Sequence, residues 1–276
     1  MSTVEGDDEQ DLTRKQRREQ ARAKRRELEQ AEAASAIRRT RLTQLGIVAV
    51  IVVAIIIGIV VATGGGSKKG LATKPSERNA TVSEVSSLLG GAPQSGNALG
   101  SPTAPVTLQY YADLECPVCR TFTLGALKPL IESYVRPGKL RIEFPSFQTA
   151  TRDAELFRTQ QVAALAAGKQ QRAWYYIELF FHQQGEENTG YVTESYLQGI
   201  AQQVPGLDMG KWVSDRSSPE LASSVASDEV TAKTHGFSGT PAFAIGKTGG
   251  TMQKLEYSSL TDPSSFVTAI RRLEKP

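Results

Sequence analysis

Cysteine is scarce in this chain of 276 residues. There are only two, Cys116 and Cys119, and both lie within residues 115–120 (ECPVCR). A structural zinc site needs about four ligands, and the only other good candidates are the histidines His182 and His235. We therefore expect no metal and no cofactor. A purely structural disulfide is also disfavoured, because closing so small a ring stabilises little. The pattern favours a redox pair.

Charged side chains are missing from residues 45–62 (LGIVAVIVVAIIIGIVVA). At about 1.5 Å per residue, a helix of this length is about 27 Å long, close to the hydrocarbon thickness of a bilayer. A buried core helix is disfavoured because the segment has no polar face. A cleaved signal peptide remains the alternative, but a long polar segment precedes the run and no clear small-x-small cleavage site follows it. We predict an uncleaved transmembrane anchor.

Aromatic residues are absent from residues 1–44, which carry eleven lysines and arginines. Without aromatic side chains to stack on bases, and next to an apolar segment, this tail is not expected to bind nucleic acid. The excess of basic residues before the anchor predicts a cytoplasmic N-terminus and an extracytoplasmic remainder. A redox pair suits such an oxidising compartment. Residues 63–99 are rich in glycine, serine and alanine, so we predict a flexible linker with one short helix over residues 82–89.

The region from residue 100 onward has the patterns of a folded domain. Residues 105–111 alternate as a strand, apolar residues recur at helical spacing over 117–135, and residues 139–144 alternate again. Two strands joined by a helix predict a βαβ unit with the cysteines at the carboxyl end of the first strand. Pro129 is expected to kink the helix.

The cysteine spacing suits thiol-disulfide exchange. If the helix begins at the motif, Cys116 lies where unpaired N–H groups and the helix dipole stabilise a thiolate. Pro117 fits the first helical position, since its missing N–H would be unpaired there. Cys119, one turn later, is close enough to attack a mixed disulfide on Cys116. We therefore predict that Cys116 is the attacking thiol and Cys119 the resolving thiol.

The rest of the domain is predicted to be a helical insert followed by a return to strands. Helices are expected over residues 154–168, 171–182, 194–204 and 219–233, strands over 242–245 and 253–257, and a closing helix that begins at Asp262 and Pro263. The aromatic cluster in residues 174–181 is interpreted as helix-packing core, with a peptide-binding groove as the alternative. Neither His182 nor His235 is expected to carry protons.

Together, APVTL, YAD, CPVC, a strand ending in Phe-Pro, and GFSGTPAF resemble the DsbA-like branch of the thioredoxin superfamily, most closely its membrane-anchored bacterial members. The resemblance covers residues 100–275. It implies an α/β thioredoxin-like fold with an inserted α-helical domain at about 150–234, and a thiol:disulfide oxidoreductase acting on exported proteins. It also implies a cis Thr240-Pro241 bond, with the backbone of Thr240 pairing with substrate.

Two positions depart from the family pattern. Many relatives have glutamate six residues before the first cysteine, where this chain has Tyr110, so proton transfer must differ or involve Asp113, Glu115 or water. The strongly oxidising members have histidine where this chain has Val118. Glu115 opposes a thiolate on Cys116 and Arg120 partly compensates, so we predict a less oxidising pair whose Cys116 pKa still lies below that of free cysteine.

Three functions remain open from the sequence. The first is an oxidase that passes its disulfide to reduced exported proteins and is reoxidised by a membrane partner. The second is a reductase or isomerase on the same fold, since direction depends on the reduction potential. The third, from another class, is a tethered peptide-binding or chaperone domain whose cysteines do not turn over.

Overall fold

The computed structural model describes residues 70–274. The predicted tail (1–44) and transmembrane segment (45–62) lie outside these residues. Between residues 70 and 274 no helix combines the length and apolarity that crossing a bilayer requires.

A six-stranded sheet forms the centre of the domain, in the order β1-β2-β4-β3-β5-β6. The elements in chain order are α1 (Pro75–Leu89), β1 (Gln94–Ser95), β2 (Ala98–Leu99), β3 (Val106–Tyr111), α2 (Pro117–Leu124), α3 (Leu127–Leu130) continued by a π-helical turn (Ile131–Val135), β4 (Leu140–Glu143), α4 (Ala154–Gly168), α5 (Ala173–His182), α6 (Glu194–Ala201), α7 (Met209–Asp215), α8 (Pro219–Thr234), β5 (Ala242–Lys247), β6 (Gln253–Lys254) and α9 (Ser264–Glu274). The thioredoxin-like α/β fold with a helical insertion is confirmed.

The predicted βαβ unit is present. Strand β3 pairs in parallel with β4, with Leu108 opposite Ile142, and its other edge pairs antiparallel with β5. The connecting helix is broken at Gly125, between α2 and α3, rather than at Pro129. The two positions are related, because Pro129 lacks the N–H that would bond to the carbonyl of Gly125 and its ring crowds that carbonyl. The break therefore falls one turn before the proline.

The helical insert consists of α4 to α8, between β4 and β5. The four predicted helices are present, and the sequence missed α7, a short helix with one buried side chain, Trp212. The aromatic cluster is core as predicted: Trp174, Tyr176, Phe180 and Phe181 are buried. These side chains share one continuous core with the sheet, because Phe144, directly after β4, packs against Trp174 and Phe181.

The linker prediction is wrong for residues 75–99. Helix α1 is longer than the predicted helix and buries Val85, Leu88 and Leu89, while β1 and β2 extend the sheet beyond β4. The polar, glycine-rich sequence of residues 75–99 did not indicate these elements. Helix α1 buries only a short apolar stripe, and strands of two residues are too short to show alternation. The folded domain therefore begins before residue 100.

Candidate functional site

The two cysteines lie at the N-terminus of α2, which follows directly from β3. Cys116 is the N-cap residue, and its Sγ accepts a hydrogen bond from the backbone N–H of Cys119 at 3.3 Å. Pro117 occupies the first turn, as predicted. Cys116 is 4% exposed and Cys119 is fully buried. Only the first sulfur therefore reaches the surface.

A second segment, the loop before β5, lies against Cys116. The Thr240-Pro241 bond is cis, as the resemblance implied. The Sγ of Cys116 donates to the carbonyl oxygen of Thr240 at 3.5 Å. An open groove of about 510 Å³ lies beside this contact and is lined by Val118 at the start of α2 and by three loops that contain Ala150, Asn188 and Gly239. Residues far apart in sequence thus meet at one sulfur atom.

The two thiols have opposite acidities. The hydrogen bond with Cys119 lowers the pKa of Cys116 to about 7, against the opposing effect of burial and with further help from Thr240 and from the backbone N–H groups of Cys119 and Val118. Burial raises the pKa of Cys119 well above its usual value, and the nearby Cys116 adds to the effect. The lower pKa makes Cys116 the better nucleophile and leaving group of the two, while Cys119 keeps its proton.

Tyr110, at the position of the family glutamate, lies directly beneath α2. Its side chain is fully buried, and its hydroxyl donates to the carbonyl oxygen of Cys119 at 3.0 Å and pairs with the hydroxyl of Thr123 at 3.1 Å. Burial raises its pKa well above the ordinary value, with Cys119 contributing. Tyr110 therefore stays neutral and is a structural support rather than a proton acceptor.

Asp113 and Glu115, the predicted alternatives for proton transfer, are both buried but differ in their bonding. The carboxylate of Asp113 accepts five hydrogen bonds, from the N–H groups of residues 115, 149, 150 and 151 and from the hydroxyl of Thr151. In Glu115, Oε1 accepts the N–H of Asn188 at 3.2 Å, whereas Oε2 has no hydrogen-bond partner among residues 70–274. Burial raises the pKa of Glu115. This shift favours the neutral form of Glu115, which opposes a thiolate on Cys116 less than the ionised form does.

Val118 and Arg120, the remaining motif residues, make different contacts. Val118 is 46% exposed beside the groove, where its side chain offers an apolar contact and only its backbone N–H acts on the sulfur. The Nε of Arg120 donates to the carbonyl oxygen of Phe181 at 2.8 Å and so ties α2 to the end of α5. A direct effect of Arg120 on the thiolate stays a prediction.

The helical insert also contacts the motif, which sequence reasoning missed. The amide of Gln184 donates to the carbonyl oxygens of Leu114 at 2.7 Å and Cys116 at 3.1 Å. Thr149, in the loop after β4, pairs through its hydroxyl with the hydroxyl of Thr240. No local pattern marks either residue, because both act through contacts between distant segments.

Two cysteines three positions apart at a helix N-terminus, next to a cis proline on a mixed sheet with a helical insert, are the arrangement of a thioredoxin-fold thiol-disulfide oxidoreductase. The thioredoxin family model matches residues 94–260, more than half of the chain, and the chain belongs to this family. Its start at residue 94 agrees with the inclusion of β1 and β2 in the domain.

This chain is similar to individual proteins both in sequence and in solved structure. The chain is 27% identical over 221 residues to a probable disulfide bond formation protein D of Bacillus anthracis, covering 80% of this chain and 93% of the relative. BdbD of Bacillus subtilis in its oxidised form has the same fold, with a TM-score of 0.55 at 19% identity over 67% of this chain and 97% of that one. For DsbA2 of Pseudomonas aeruginosa the TM-score is 0.50 at 24% identity, over 66% and 96%. The chain is a thiol-disulfide oxidoreductase of the thioredoxin family.

Proposed function

We propose that this protein is a membrane-anchored oxidase that introduces disulfides into exported proteins outside the cytoplasmic membrane. In this proposal residues 1–44 are a cytoplasmic tail, residues 45–62 span the bilayer, residues 63–69 tether the domain, and the domain faces the exterior. Cys116 is the catalytic thiol and Cys119 the resolving thiol. The observation that carries the proposal is the contrast between the two sulfurs: one is acidic and lies at a groove, and the other is buried and protonated.

The exchange proceeds in two steps from the oxidised pair. A client thiolate attacks the Sγ of Cys116, the Cys116-Cys119 bond breaks, and Cys119 leaves and takes up a proton. A second client thiolate then attacks the client sulfur of the mixed disulfide, and Cys116 leaves as a thiolate. Its low pKa favours this departure, because thiols of lower pKa are better leaving groups. The client gains a disulfide, and the dithiol passes two electrons and two protons to a membrane redox partner.

The loop before β5 is the proposed client-binding edge. The carbonyl oxygen of Thr240 faces Cys116, and the groove next to it has room for an extended peptide. A client strand that pairs with the backbone of Thr240 would bring its cysteine to the reactive sulfur, as in other complexes where a peptide adds a strand. Binding of this kind is independent of side-chain sequence, which suits an enzyme with many clients.

A trapping experiment tests the exchange and excludes a binding domain without turnover. In cells that express the full-length chain, Cys119→Ala removes the resolving thiol, so exported proteins should accumulate as mixed disulfides on Cys116, visible on non-reducing gels. The matched control is Cys116→Ala, which leaves only the buried thiol and should trap few or none. If Cys119→Ala forms no mixed disulfides, the exchange mechanism is contradicted.

The reduction potential separates the oxidase from a reductase. The side chain of Val118 offers the Cys116 thiolate no hydrogen bond, so we expect a value between that of thioredoxin, about −270 mV, and that of DsbA, about −120 mV. Equilibration of the purified chain with glutathione buffers measures it. A value above about −200 mV supports the oxidase, and one near −270 mV supports the reductase.

The proposed topology has its own test. After brief treatment of intact cells with dithiothreitol, which reduces the Cys116-Cys119 disulfide, a thiol reagent that does not cross membranes should label Cys116, and the full-length chain should sediment with membranes. A variant without residues 45–62 should not sediment. Labelling only after lysis would overturn the proposed orientation.

A further inference from the structure

Three loops converge on Cys116: the motif loop after β3 (residues 112–116), the loop after β4 (residues 144–153) and the loop before β5 (residues 236–241). Hydrogen bonds join them in a closed ring. The N–H of Cys116 donates to the carbonyl oxygen of Asp113 at 3.0 Å, the carboxylate of Asp113 holds residues 149–151, Thr149 pairs with Thr240, and the carbonyl oxygen of Thr240 accepts from Cys116. The ring starts at the backbone N–H of Cys116 and closes at the Sγ of the same residue.

Resting on the function proposed above, we propose that Thr149 is a positioning residue for the exchange reaction. Its hydroxyl fixes Thr240 against Cys116, and Asp113 in turn fixes Thr149. This role makes the loop after β4 part of the redox site, although none of its residues lies in the cysteine motif or the Gly-Thr-Pro segment.

The loop after β4 is built to hold Thr149 still. At one end, two carboxylates of α8 accept its backbone N–H groups: Asp228 from Ser146 at 2.9 Å and Glu229 from Gln148 at 2.5 Å. At the other end, Asp113 accepts the N–H groups of Thr149, Ala150 and Thr151 at 2.8–3.1 Å. Charge-assisted bonds of this kind are stronger than neutral ones. The backbone of Thr149 is thus fixed on both sides while its side chain stays exposed.

The link from Thr240 to the sulfur is electrostatic as well as geometric. Hydrogen bonding by the Thr240 side chain is among the causes that lower the pKa of Cys116. A hydroxyl that donates to a thiolate can still accept a hydrogen bond, and the hydroxyl of Thr149 is the neighbour that can supply one. Thr149 would then hold the Thr240 hydroxyl in the orientation that favours the thiolate. The other ionisable groups whose charges couple to Cys116 are Cys119, Tyr110 and Tyr257.

The test is a thiolate titration of three reduced full-length proteins: wild type, Thr149→Val and Thr149→Ser. The chain has only two cysteines, so the ultraviolet thiolate absorbance reports this pair alone. Valine keeps the shape of threonine without its hydroxyl, and serine keeps the hydroxyl. We expect Thr149→Val to raise the apparent pKa of Cys116 by about half a unit, or about threefold in the thiolate equilibrium, and Thr149→Ser to match wild type.

Two outcomes overturn the inference: a Thr149→Val titration that coincides with wild type, or a Thr149→Ser shift as large as that of Thr149→Val. Because the side chain is exposed, all three proteins should unfold at similar temperatures. Should the valine variant fail to fold, Thr149→Ala removes the same hydroxyl and takes its place. The readout needs no client protein, so it distinguishes failure of this inference from failure of the proposed oxidase function.

With a client peptide, the same variants give a second readout. If Thr149 fixes the client-binding edge at Thr240, Thr149→Val should raise KM for a reduced peptide about threefold while kcat changes less, and Thr149→Ser should restore the wild-type KM. An unchanged KM in Thr149→Val would contradict a role in positioning Thr240 for the client.

Discussion

Two buried carboxyl groups in this protein have opposite surroundings. Asp113, next to the cysteines, accepts five hydrogen bonds, whereas neither oxygen of Glu178, in α5 of the insert, has a hydrogen-bond partner within residues 70–274. The nearest ion-pairing group, Nε2 of His182, lies 4.0 Å from Oε2 of Glu178. Near the reactive sulfur, the hydrogen bonds to Asp113 fix the geometry of the loops. In the insert the core is apolar, and a carboxyl group fits there best when it is neutral.

The largest effect is expected at Asp113. Asp113→Ala leaves four buried or half-buried N–H groups and a hydroxyl without their acceptor, so the free energy of unfolding should fall by about 3 kcal/mol or more. Urea denaturation measures it. The matched control is Asp208→Ala, an exposed N-cap aspartate that accepts the N–H of Lys211, whose loss should cost about 1 kcal/mol. If Asp113→Ala and Asp208→Ala lose equal free energies of unfolding, the hydrogen bonds to Asp113 do not contribute more than an exposed N-cap.

The second largest change in stability is expected at Glu178, where a substitution should stabilise the fold. Burial raises its pKa to about 8, and the nearby Glu84 adds to the shift. The folded state therefore keeps a proton that the unfolded chain releases above pH of about 4.3, so stability is greatest below that pH and falls as pH rises toward 8. Glu178→Gln removes the ionisation cost of about 5 kcal/mol at pH 8, and a buried amide without hydrogen bonds offsets up to about 3 kcal/mol of this gain, so the variant should be about 2 kcal/mol more stable.

Unfolding of wild type and Glu178→Gln at several pH values between 4 and 8.5 measures the difference. Glu132→Gln, a substitution at an exposed glutamate that does not contribute to the Glu178 shift, controls for the loss of one negative charge. If Glu178→Gln is no more stable than wild type at pH 8, Glu178 is not held neutral in the folded state.

Glu115 is the intermediate case, with one bonded oxygen and one without a partner in the described part of the chain. Because burial favours its neutral form, Glu115→Gln should change the pKa of Cys116 by less than about half a unit. Iodoacetamide labelling of reduced protein at a series of pH values measures it. A larger fall in the pKa would mean that Glu115 is ionised and opposes the thiolate, as the sequence alone suggested.

The sequence predicted those parts of the site that are local. Alternation over residues 105–111, Pro117 at the start of a helix and the spacing of the cysteines each depend on neighbours in the chain, and the structure agrees with them. Helix α7 was missed because seven residues with a single buried side chain carry too little periodicity. The ordered part of the expected linker was missed because its strands gain their stability from pairing with β4.

The ring around Cys116 could not be predicted, because it depends on tertiary contacts. Asp113 stands in a motif that the sequence analysis examined, yet its carboxylate bonds to residues 36–38 positions later. Thr149 lies in a segment with no recognisable pattern, and its partner Thr240 is 91 positions away. Such bonds form only after the strands bring the loops together.

The difference in acidity between the two sulfurs is the central claim, and a thiolate titration of the reduced wild-type protein tests it most directly. The account predicts that Cys116 ionises with a pKa of about 7, and that Cys119 ionises only well above the usual range for a thiol. The two steps belong to an interacting pair, so alkylation followed by mass spectrometry should identify which sulfur reacts first. A single transition at or above about pH 8.5, the value for free cysteine, with both sulfurs alkylated at similar rates, would contradict the account.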